Sequence, residues 1–360
     1  MQSKFRKHAF LGAVFAVTVF TFSTAQLTLG QTPVPNSADG VPQQPAQSKA
    51  KEKASVPGTN EPDDDVVRVE TDLVTTLFTA VDKERRFITT LRQEDLRIKE
   101  NGVEQEITLF ERETDRPLSI VVLVDTSKSQ ENTLPDEKRA AKKFIDAVVR
   151  PDKDQVAVVS FDGRPHLEAP PSNDVVSIKA AIDKIEVKLP PEGCSADVSV
   201  LEDSRCYTSI WDSVIATANQ LLSRTNKRTR RVIILLTDGD DSSSQADRAD
   251  AIKAAISNDV AVYGIGVGDP ELYKIERGAL SKLTERTGGR AFFPKQDREL
   301  SDAFAQIQEE MRSQYVVAYT PKKRDRDGSY RKIKLEVITP ELRQRKLQLL
   351  HRQGYYARPN

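Results

Sequence analysis

The pattern of hydrophobic and polar residues divides the chain into regions with different predicted structures. Between residues 117 and 313, short continuous apolar runs such as 118–124 alternate with stretches such as 135–149, where apolar residues recur every three or four positions. A continuous apolar run is typical of a strand buried on both faces of a parallel sheet. The second spacing is typical of a helix. Repeated strand–helix units predict an α/β fold, a doubly wound and mostly parallel sheet with helices on both faces.

The elements of this middle region follow from the same two patterns. Ligands of such sheets bind at the carboxyl ends of the strands, so the residues that follow each strand are the first candidates for a site. The predicted strands are 118–124, 156–161, 232–236 and 260–267, and the predicted helices are 135–149, 178–185, 209–222 and 246–257, with two further helical stretches near Leu280 and Phe304.

The regions on either side, 66–116 and 314–360, are predicted to be β structure. Residues 96–100 alternate between apolar and polar, and Asn101-Gly102 separates them from a second strand at 103–110. This is the pattern of a two-residue hairpin, because both turn positions need a positive φ. The C-terminal region contains short alternating runs at 315–320, 333–337 and 347–351.

The two β regions carry opposite charges, although the whole chain is neutral, with 54 basic and 54 acidic side chains. Neutrality disfavours a globally basic nucleic-acid binder. Residues 61–116 carry 9 basic and 16 acidic side chains, whereas residues 313–360 carry 12 and 4. We therefore expect the two regions to pair into a single β subdomain beside the α/β domain. The alternative is that the basic tail is a separate site for an anionic envelope surface.

The N-terminus has the pattern of an export signal. Three basic residues within the first seven positions precede an apolar run, 9–22, and small residues follow it. This predicts a signal peptide over residues 1–25, with cleavage after Ala25 or, as a second candidate, after Gly30. A retained membrane anchor is the alternative, but it needs about 20 apolar residues. The next stretch, 26–65, is rich in Pro, Ser, Gln and Ala, which predicts a disordered linker.

Few residues suit redox, zinc or nucleotide chemistry. The chain has two cysteines and three histidines, too few for a zinc framework. In an exported protein, Cys194 and Cys206 are expected to form a disulfide; the alternative is two unpaired thiols. The glycines after residue 263 do not have dinucleotide-loop spacing, and no phosphate-binding loop motif occurs, so we expect no small-molecule cofactor. His166, which we place in an exposed loop, lacks the context of a Ser-His-Asp enzyme.

Oxygen-bearing side chains gather where the predicted strands end. The first strand of the middle region runs into Asp125, Ser127 and Ser129, and the strand at 232–236 runs into Asp238. Thr208 precedes a predicted helix between them. Two carboxylates and three hydroxyls are hard donors, which suit Mg²⁺, Mn²⁺ or Ca²⁺ and do not suit zinc. Taken singly, such residues are also common helix caps and turn formers.

These residues resemble the metal-ion-dependent adhesion site of von Willebrand factor type A domains, and the resemblance covers about 118–313. It implies that Ser127, Ser129 and Thr208 are hydroxyl ligands, that Asp125 and Asp238 are the acids, and that Mg²⁺ is the expected cation. It also implies reversible binding of a protein that offers an Asp or Glu carboxylate. The hairpin and the C-terminal glycine–tyrosine motifs resemble an exported bacterial subfamily, located in the periplasm, at the cell surface or outside the cell.

Three neighbouring charges are candidate partner-binding residues. Lys128 stands at a position where the family that the sequence resembles usually has a small residue. Its positive charge either weakens metal affinity or helps to attract an acidic partner. Asp240 and Asp241 follow Asp238 closely. They are either acids that lie outside the direct metal ligands or solvated charges of the loop. We expect no enzymatic activity. The alternatives are a Mg²⁺-dependent hydrolase or phosphotransferase, which lacks a visible nucleophile and base, and a structural module whose metal orders the loops. The oligomeric state does not follow from the sequence.

Overall fold

The computed structural model describes residues 73–113, 115–189, 208–226, 228–268 and 275–359. The predicted signal peptide, the predicted linker and both cysteines, Cys194 and Cys206, lie outside these residues. Within them, no helix is both long and apolar enough to cross a membrane. The strands are β1 (Val74–Val81), β2 (Leu96–Glu100), β3 (Val103–Gln105), β4 (Ile107–Glu113), β5 (Leu118–Asp125), β6 (Gln155–Phe161), β7 (Pro165–Ser172), β8 (Arg230–Thr237), β9 (Val260–Gly266), β10 (Ala291–Phe292), β11 (Gln314–Tyr319), β12 (Tyr330–Val337), β13 (Gln348–His351) and β14 (Gly354–Tyr356). The helices are α1 (Leu134–Val148), α2 (Val175–Lys184), α3 (Ile210–Ala216), α4 (Arg248–Ser257), α5 (Arg277–Thr287), α6 (Asp297–Arg312) and α7 (Pro340–Gln344).

A six-stranded sheet in the order β10-β9-β8-β5-β6-β7 forms the α/β part. All neighbouring strands are parallel except β6 and β7. The predicted mostly parallel sheet is therefore confirmed. The strand β7 was not predicted, because its two adjacent prolines argue against a strand; an edge strand tolerates them since one side needs no ladder hydrogen bonds. We expected His166 in an exposed loop, and this prediction is wrong, because His166 lies in β7.

Helices cover both faces of this sheet. Every residue of β5 is buried, with alternate side chains entering different cores. Val122 belongs to the core formed with α1, α2 and α6, whereas Leu123 belongs to the core formed with α3, α4 and α5. This two-sided burial is why the strand reads as a continuous apolar run.

Two antiparallel sheets join the N- and C-terminal regions. The first sheet has the strand order β13-β1-β11-β4, in which the C-terminal strand β11 lies between the N-terminal strands β1 and β4. The second has the order β14-β12-β2-β3, in which the C-terminal strand β12 pairs with the N-terminal strand β2. A third core lies with these strands; in it the ring of Tyr315 stacks on Phe78 at 5.1 Å and on Phe110 at 5.4 Å between centroids. The expected pairing of the two oppositely charged regions is confirmed.

The hairpin has the predicted turn, but the strand after it differs from the prediction. Asn101 and Gly102 have φ values of 48° and 85°, as the two-residue turn requires. The expected single strand 103–110 is interrupted at Glu106, so that β3 belongs to one antiparallel sheet and β4 to the other. Alternation along a segment does not reveal a change of partner sheet, because both halves keep the period of two.

Candidate metal centre

The carboxyl ends of two neighbouring strands bring the first acid and a threonine together. In the parallel pair β5–β8, Val124 lies opposite Leu236, so the next residues, Asp125 and Thr237, are adjacent. The Thr237 hydroxyl donates to Asp125 Oδ2 at 2.6 Å, and the Ser127 N–H donates to Asp125 Oδ1 at 2.9 Å. One carboxylate oxygen is thereby oriented by the end of β8 and the other by the loop after β5.

The loop after β5 presents two hydroxyls side by side. A short 3-10 turn, Lys128–Gln130, follows the strand and turns the chain toward α1. Ser127 Oγ and Ser129 Oγ lie 3.0 Å apart, and both side chains are half-buried. Gln130 is fully buried and donates from Nε2 to Ser129 Oγ at 3.3 Å. The arrangement leaves two neutral oxygens facing the acids at the sheet edge.

The loop after β8 depends on a glycine. Gly239 has a φ of +87°, and a Cβ there would lie 3.1 Å from Leu280 Cγ and 3.2 Å from the Glu276 carbonyl oxygen. This left-handed conformation costs other residues free energy. It places the Asp240 N–H at 3.0 Å from Asp238 Oδ1, which holds the second acid at the sheet edge.

Thr208 is fixed to the same loop through its backbone. Its N–H donates to Ser242 Oγ at 2.9 Å, and its carbonyl oxygen accepts from the N–H groups of Ser242 and Ser243 at 2.9 and 3.0 Å. The next residue, Ser209, donates its N–H to the Asp162 carbonyl oxygen at 2.8 Å, in the turn after β6. Thr208 is therefore tied to the loop after β8 and, through Ser209, to the turn after β6.

The two acids disfavour each other's charge. Burial raises the pKa of Asp125 to about 7, and the negative charge of Asp238 adds to this rise. Burial also raises the pKa of Asp238, and a hydrogen bond from Ser129 partly offsets that rise. Two buried carboxylates without a described cationic partner are costly. A divalent cation would remove this cost.

A third buried acid, Glu137, was missed by the sequence analysis. It lies in the first turn of α1, is 1% exposed, and neither carboxylate oxygen makes a hydrogen bond of ordinary geometry within the described part of the chain. Burial raises its pKa to about 8, and the charges of Asp125 and Asp238 contribute. A signal was present, because Glu137 occupies the apolar stripe of α1 between Leu134 and Ala141.

Thr237, between the predicted strand 232–236 and Asp238, was given no role by the sequence analysis. It is fully buried, and its hydroxyl both donates to Asp125 and accepts from the Gly239 N–H at 3.1 Å. The hydroxyl thereby links the two loops. A polar residue at the end of an otherwise apolar strand was the available signal.

The three candidate partner-binding residues differ in their surroundings. Lys128 and Asp240 are exposed beside the acids and hydroxyls. Asp241 instead accepts from the N–H groups of Ile210 and Trp211 at 2.6 and 3.2 Å, which caps the start of α3. The carboxylate of Asp241 is therefore engaged in holding this helix.

The residues at this edge fit a divalent cation of the hard type. Among the described residues, no group of three or more His, Cys, Asp or Glu side chains is placed to hold a metal ion. Besides Asp125 and Asp238, the oxygens available at this edge include the Ser127 and Ser129 hydroxyls. Carboxylate and hydroxyl oxygens are donors for Mg²⁺, Mn²⁺ and Ca²⁺.

The parallel sheet with acids and hydroxyls at its carboxyl edge defines a class of α/β domain with a candidate cation site between strand ends. The sequence model of one family, the von Willebrand factor type A domain, matches residues 119–308, just over half of the chain. The chain belongs to this family.

Solved structures of low sequence identity are similar to this chain. The conserved hypothetical protein BatB from Bacteroides thetaiotaomicron is 18% identical, with 54% of this chain and 98% of that chain covered and a TM-score of 0.43. Proximal thread matrix protein 1 from the mussel byssus, solved with a zinc-occupied MIDAS motif, is 18% identical over 59% of this chain and 50% of that one, with a TM-score of 0.44. A von Willebrand factor type A protein from Catenulispora acidiphila is 13% identical over 80% and 73%, with a TM-score of 0.45. A comparison with curated proteins returned no match.

Proposed function

We propose that this protein is a metal-dependent protein-binding module. Asp125, Ser127, Ser129, Thr208 and Asp238 would hold a divalent cation, and a partner protein would complete its coordination with an Asp or Glu carboxylate. The observation that carries the proposal is the buried pair Asp125 and Asp238, whose pKa values are both raised. Such a pair is unfavourable by itself and favourable around a cation.

The charge count of the donor set explains why an anionic partner is expected. Two carboxylates neutralise a divalent cation, and the three hydroxyls add no charge. The bound cation would therefore retain affinity for one more anion. Oxygen donors together with partial hydration are typical of Mg²⁺, which we propose as the cation, with Mn²⁺ or Ca²⁺ as alternatives.

The surrounding residues would position the ligands and tune access. Thr237 and Gln130 orient Asp125 and Ser129 through the hydrogen bonds described above. Lys128 and Asp240 are exposed near the site and carry opposite charges. We propose that Lys128 attracts the partner's carboxylate, whereas Asp240 restricts which acidic surfaces can approach.

The cellular setting is part of the proposal. The N-terminal pattern favours export with cleavage near Ala25, a linker over 26–65, and a location in the periplasm, at the cell surface or outside the cell. A disulfide between Cys194 and Cys206 would restrain the segment that precedes Thr208. We also propose the domain boundaries that the sequence predicts, which are 66–116, 117–313 and 314–360.

The experiment is a pull-down from envelope extract with Mg²⁺ or with EDTA. It compares the wild type, Asp125→Ala and the control Asp152→Ala, which removes an exposed acid at the opposite end of the sheet. We expect capture that needs Mg²⁺, is lost in Asp125→Ala and is unchanged in Asp152→Ala. Capture that persists in EDTA would instead favour a structural module. Turnover of a phosphoester that depends on Asp125 would favour the hydrolase or phosphotransferase alternative.

A further inference from the structure

A second candidate site lies at the opposite end of the parallel sheet. A cavity of about 810 Å³ opens where β8 and β9 begin, bounded also by the start of β1, by residues 321–326 and by the C-terminal residues 355–359. The length of β8, from Arg230 to Thr237, separates this cavity from the candidate metal centre by about 23 Å. It is therefore distinct from the site at the carboxyl edge.

The lining of the cavity is strongly cationic. It contains ten basic residues and two acidic residues, and we call it the basic cavity. The basic residues are Arg116, Arg228, Arg230, Arg231, Lys323, Arg324, Arg326, Arg331, Arg352 and Arg358, and the acidic residues are Asp259 and Asp325.

Some of these charges are neutralised within the protein. Buried Arg331 pairs with Glu100 at 3.2 Å, and Arg116 pairs with Glu113 at 3.3 Å. Arg352 pairs with Asp259. These arginines already have carboxylate partners within the protein and do not require a ligand.

Two arginines at the start of β8 have no carboxylate partner among the described residues. Arg230 is 6% exposed and donates to Gln314 Oε1 at 2.9 Å and to the Met311 carbonyl oxygen. Its buried Nε has no hydrogen-bond partner in the described part of the chain. Arg231 likewise donates only to neutral oxygens, on Thr225 and Asn258. A buried cation without a counterion is unfavourable, and a bound anion would relieve this cost.

Further basic side chains surround the mouth of the cavity. Arg228, Arg324 and Arg358 are exposed and have no carboxylate within ion-pair distance among the described residues. They would raise the local concentration of an anion and guide it toward Arg230. Three elements far apart in sequence supply these charges, so only the tertiary structure brings them together.

We propose that the basic cavity binds a phosphate-bearing anion, with Arg230 and Arg231 at its base and Arg228, Arg324 and Arg358 at its mouth. Arginine matches the geometry of phosphate oxygens through paired N–H groups, and its charge does not depend on pH in the physiological range. The phosphate could come from a lipid headgroup of the envelope or from a soluble phosphate ester. Both sources share the chemistry, and the experiment separates them.

The test measures binding of pyrophosphate to the purified protein by calorimetry in EDTA, with ionic strength balanced by chloride, so that the metal centre makes no contribution. The main variant is Arg228→Gln/Arg324→Gln/Arg358→Gln, whose three positions are all exposed and can change without loss of the core. We expect it to bind about tenfold more weakly or worse, because three exposed positive charges that attract the anion are lost, each worth up to about fivefold in affinity (about 1 kcal/mol) in this screened setting. A second variant, Arg230→Met, tests the base of the cavity.

The matched control is Lys143→Gln/Lys282→Gln/Arg298→Gln, which removes the same charge at exposed positions outside the cavity. We expect its affinity to equal that of the wild type. Absence of pyrophosphate binding by the wild type, unchanged affinity in the main variant, or an equal loss in the control would overturn the proposal. Flotation with phosphatidylcholine vesicles, with and without phosphatidylglycerol, identifies the source. Binding that needs phosphatidylglycerol indicates a lipid headgroup, and pyrophosphate binding without vesicle binding indicates a soluble ester.

Discussion

Replacing Asp125 by Asn is expected to stabilise the metal-free protein at pH 8 while abolishing its metal response. The pKa of Asp125 is raised from 3.8 to about 7 by burial and by Asp238. A group whose pKa is raised on folding contributes its full stability below the unfolded pKa and loses it as the pH rises through the folded pKa. The wild type should therefore lose stability between pH 4 and pH 7. The variant should lose less, because its residue 125 cannot ionise and only the contributions of Glu137 and Asp238, which both proteins share, remain.

The magnitude follows from the shift. A rise of about 3 pKa units corresponds to about 4 kcal/mol of unfolding free energy above pH 7. The side-chain oxygen of asparagine can still accept from the Ser127 N–H. Its amide nitrogen, however, cannot accept the hydrogen bond that the Thr237 hydroxyl donates, and the loss of this bond lowers the free energy of unfolding by about 1 kcal/mol. We therefore expect Asp125→Asn to exceed the wild type by about 3 kcal/mol at pH 8 without metal.

The assay is urea unfolding after dialysis against EDTA. Unfolding is monitored by the fluorescence of Trp211, which is the only tryptophan of the chain and is buried in α3. The series is repeated with Mg²⁺, where the wild type should gain about 3 kcal/mol at a hundredfold excess over its Kd and the variant nothing. Asp152→Asn serves as a control that should follow the wild type. If the metal-free variant is no more stable than the wild type at pH 8, or if both gain equally from Mg²⁺, the electrostatic reasoning about this site is wrong.

Three further changes test other parts of the structure. Glu137→Gln should flatten the fall in metal-free stability between pH 5 and pH 8, since the pKa of Glu137 is raised to about 8; urea titrations at several pH values measure this, and an unchanged pH slope would contradict it. Gly239→Ala should cost about 1–2 kcal/mol through its left-handed backbone and weaken Mg²⁺ binding, whereas an unchanged midpoint and affinity would show that the loop adapts. Phe78→Ala, at the ring stack with Tyr315, should cost about 3–5 kcal/mol, and a thermal melt without a shifted midpoint would refute the packing role.

Much of the α/β part was predictable because local patterns and tertiary burial agree there. Strands β5 and β8 are buried on both faces, so their apolar runs mark them without any knowledge of their neighbours. Helix α1 begins and ends within one residue of the prediction, since its apolar stripe has a clear helical period. The predicted helix 209–222 is an α-helix only to Ala216, after which the backbone continues as a π-helical turn over Thr217–Leu221.

The elements that were missed are those whose environment, and not their composition, determines their conformation. The proline-containing strand β7 is stable because it lies at an edge, where missing N–H donors face no partner. The break at Glu106 reflects a change of partner sheet. Glu137 is buried on the apolar side of α1 near two other acids, and its role depends on where the strand ends place those acids.

The sequence by itself determined the α/β class, the order of the central parallel strands and their helices, and the presence of acids and hydroxyls directly after two strands. These features are local, because periodicity and the residue that ends a strand can be read within a few positions. Only the tertiary structure decided that Thr237 orients Asp125, that Asp241 caps a helix, and which strands of the two β regions pair with each other. It also decided that arginines from β8, residues 321–326 and the C-terminal residues line one cavity. Those facts depend on which distant segments meet, and that choice is made by packing over the whole chain.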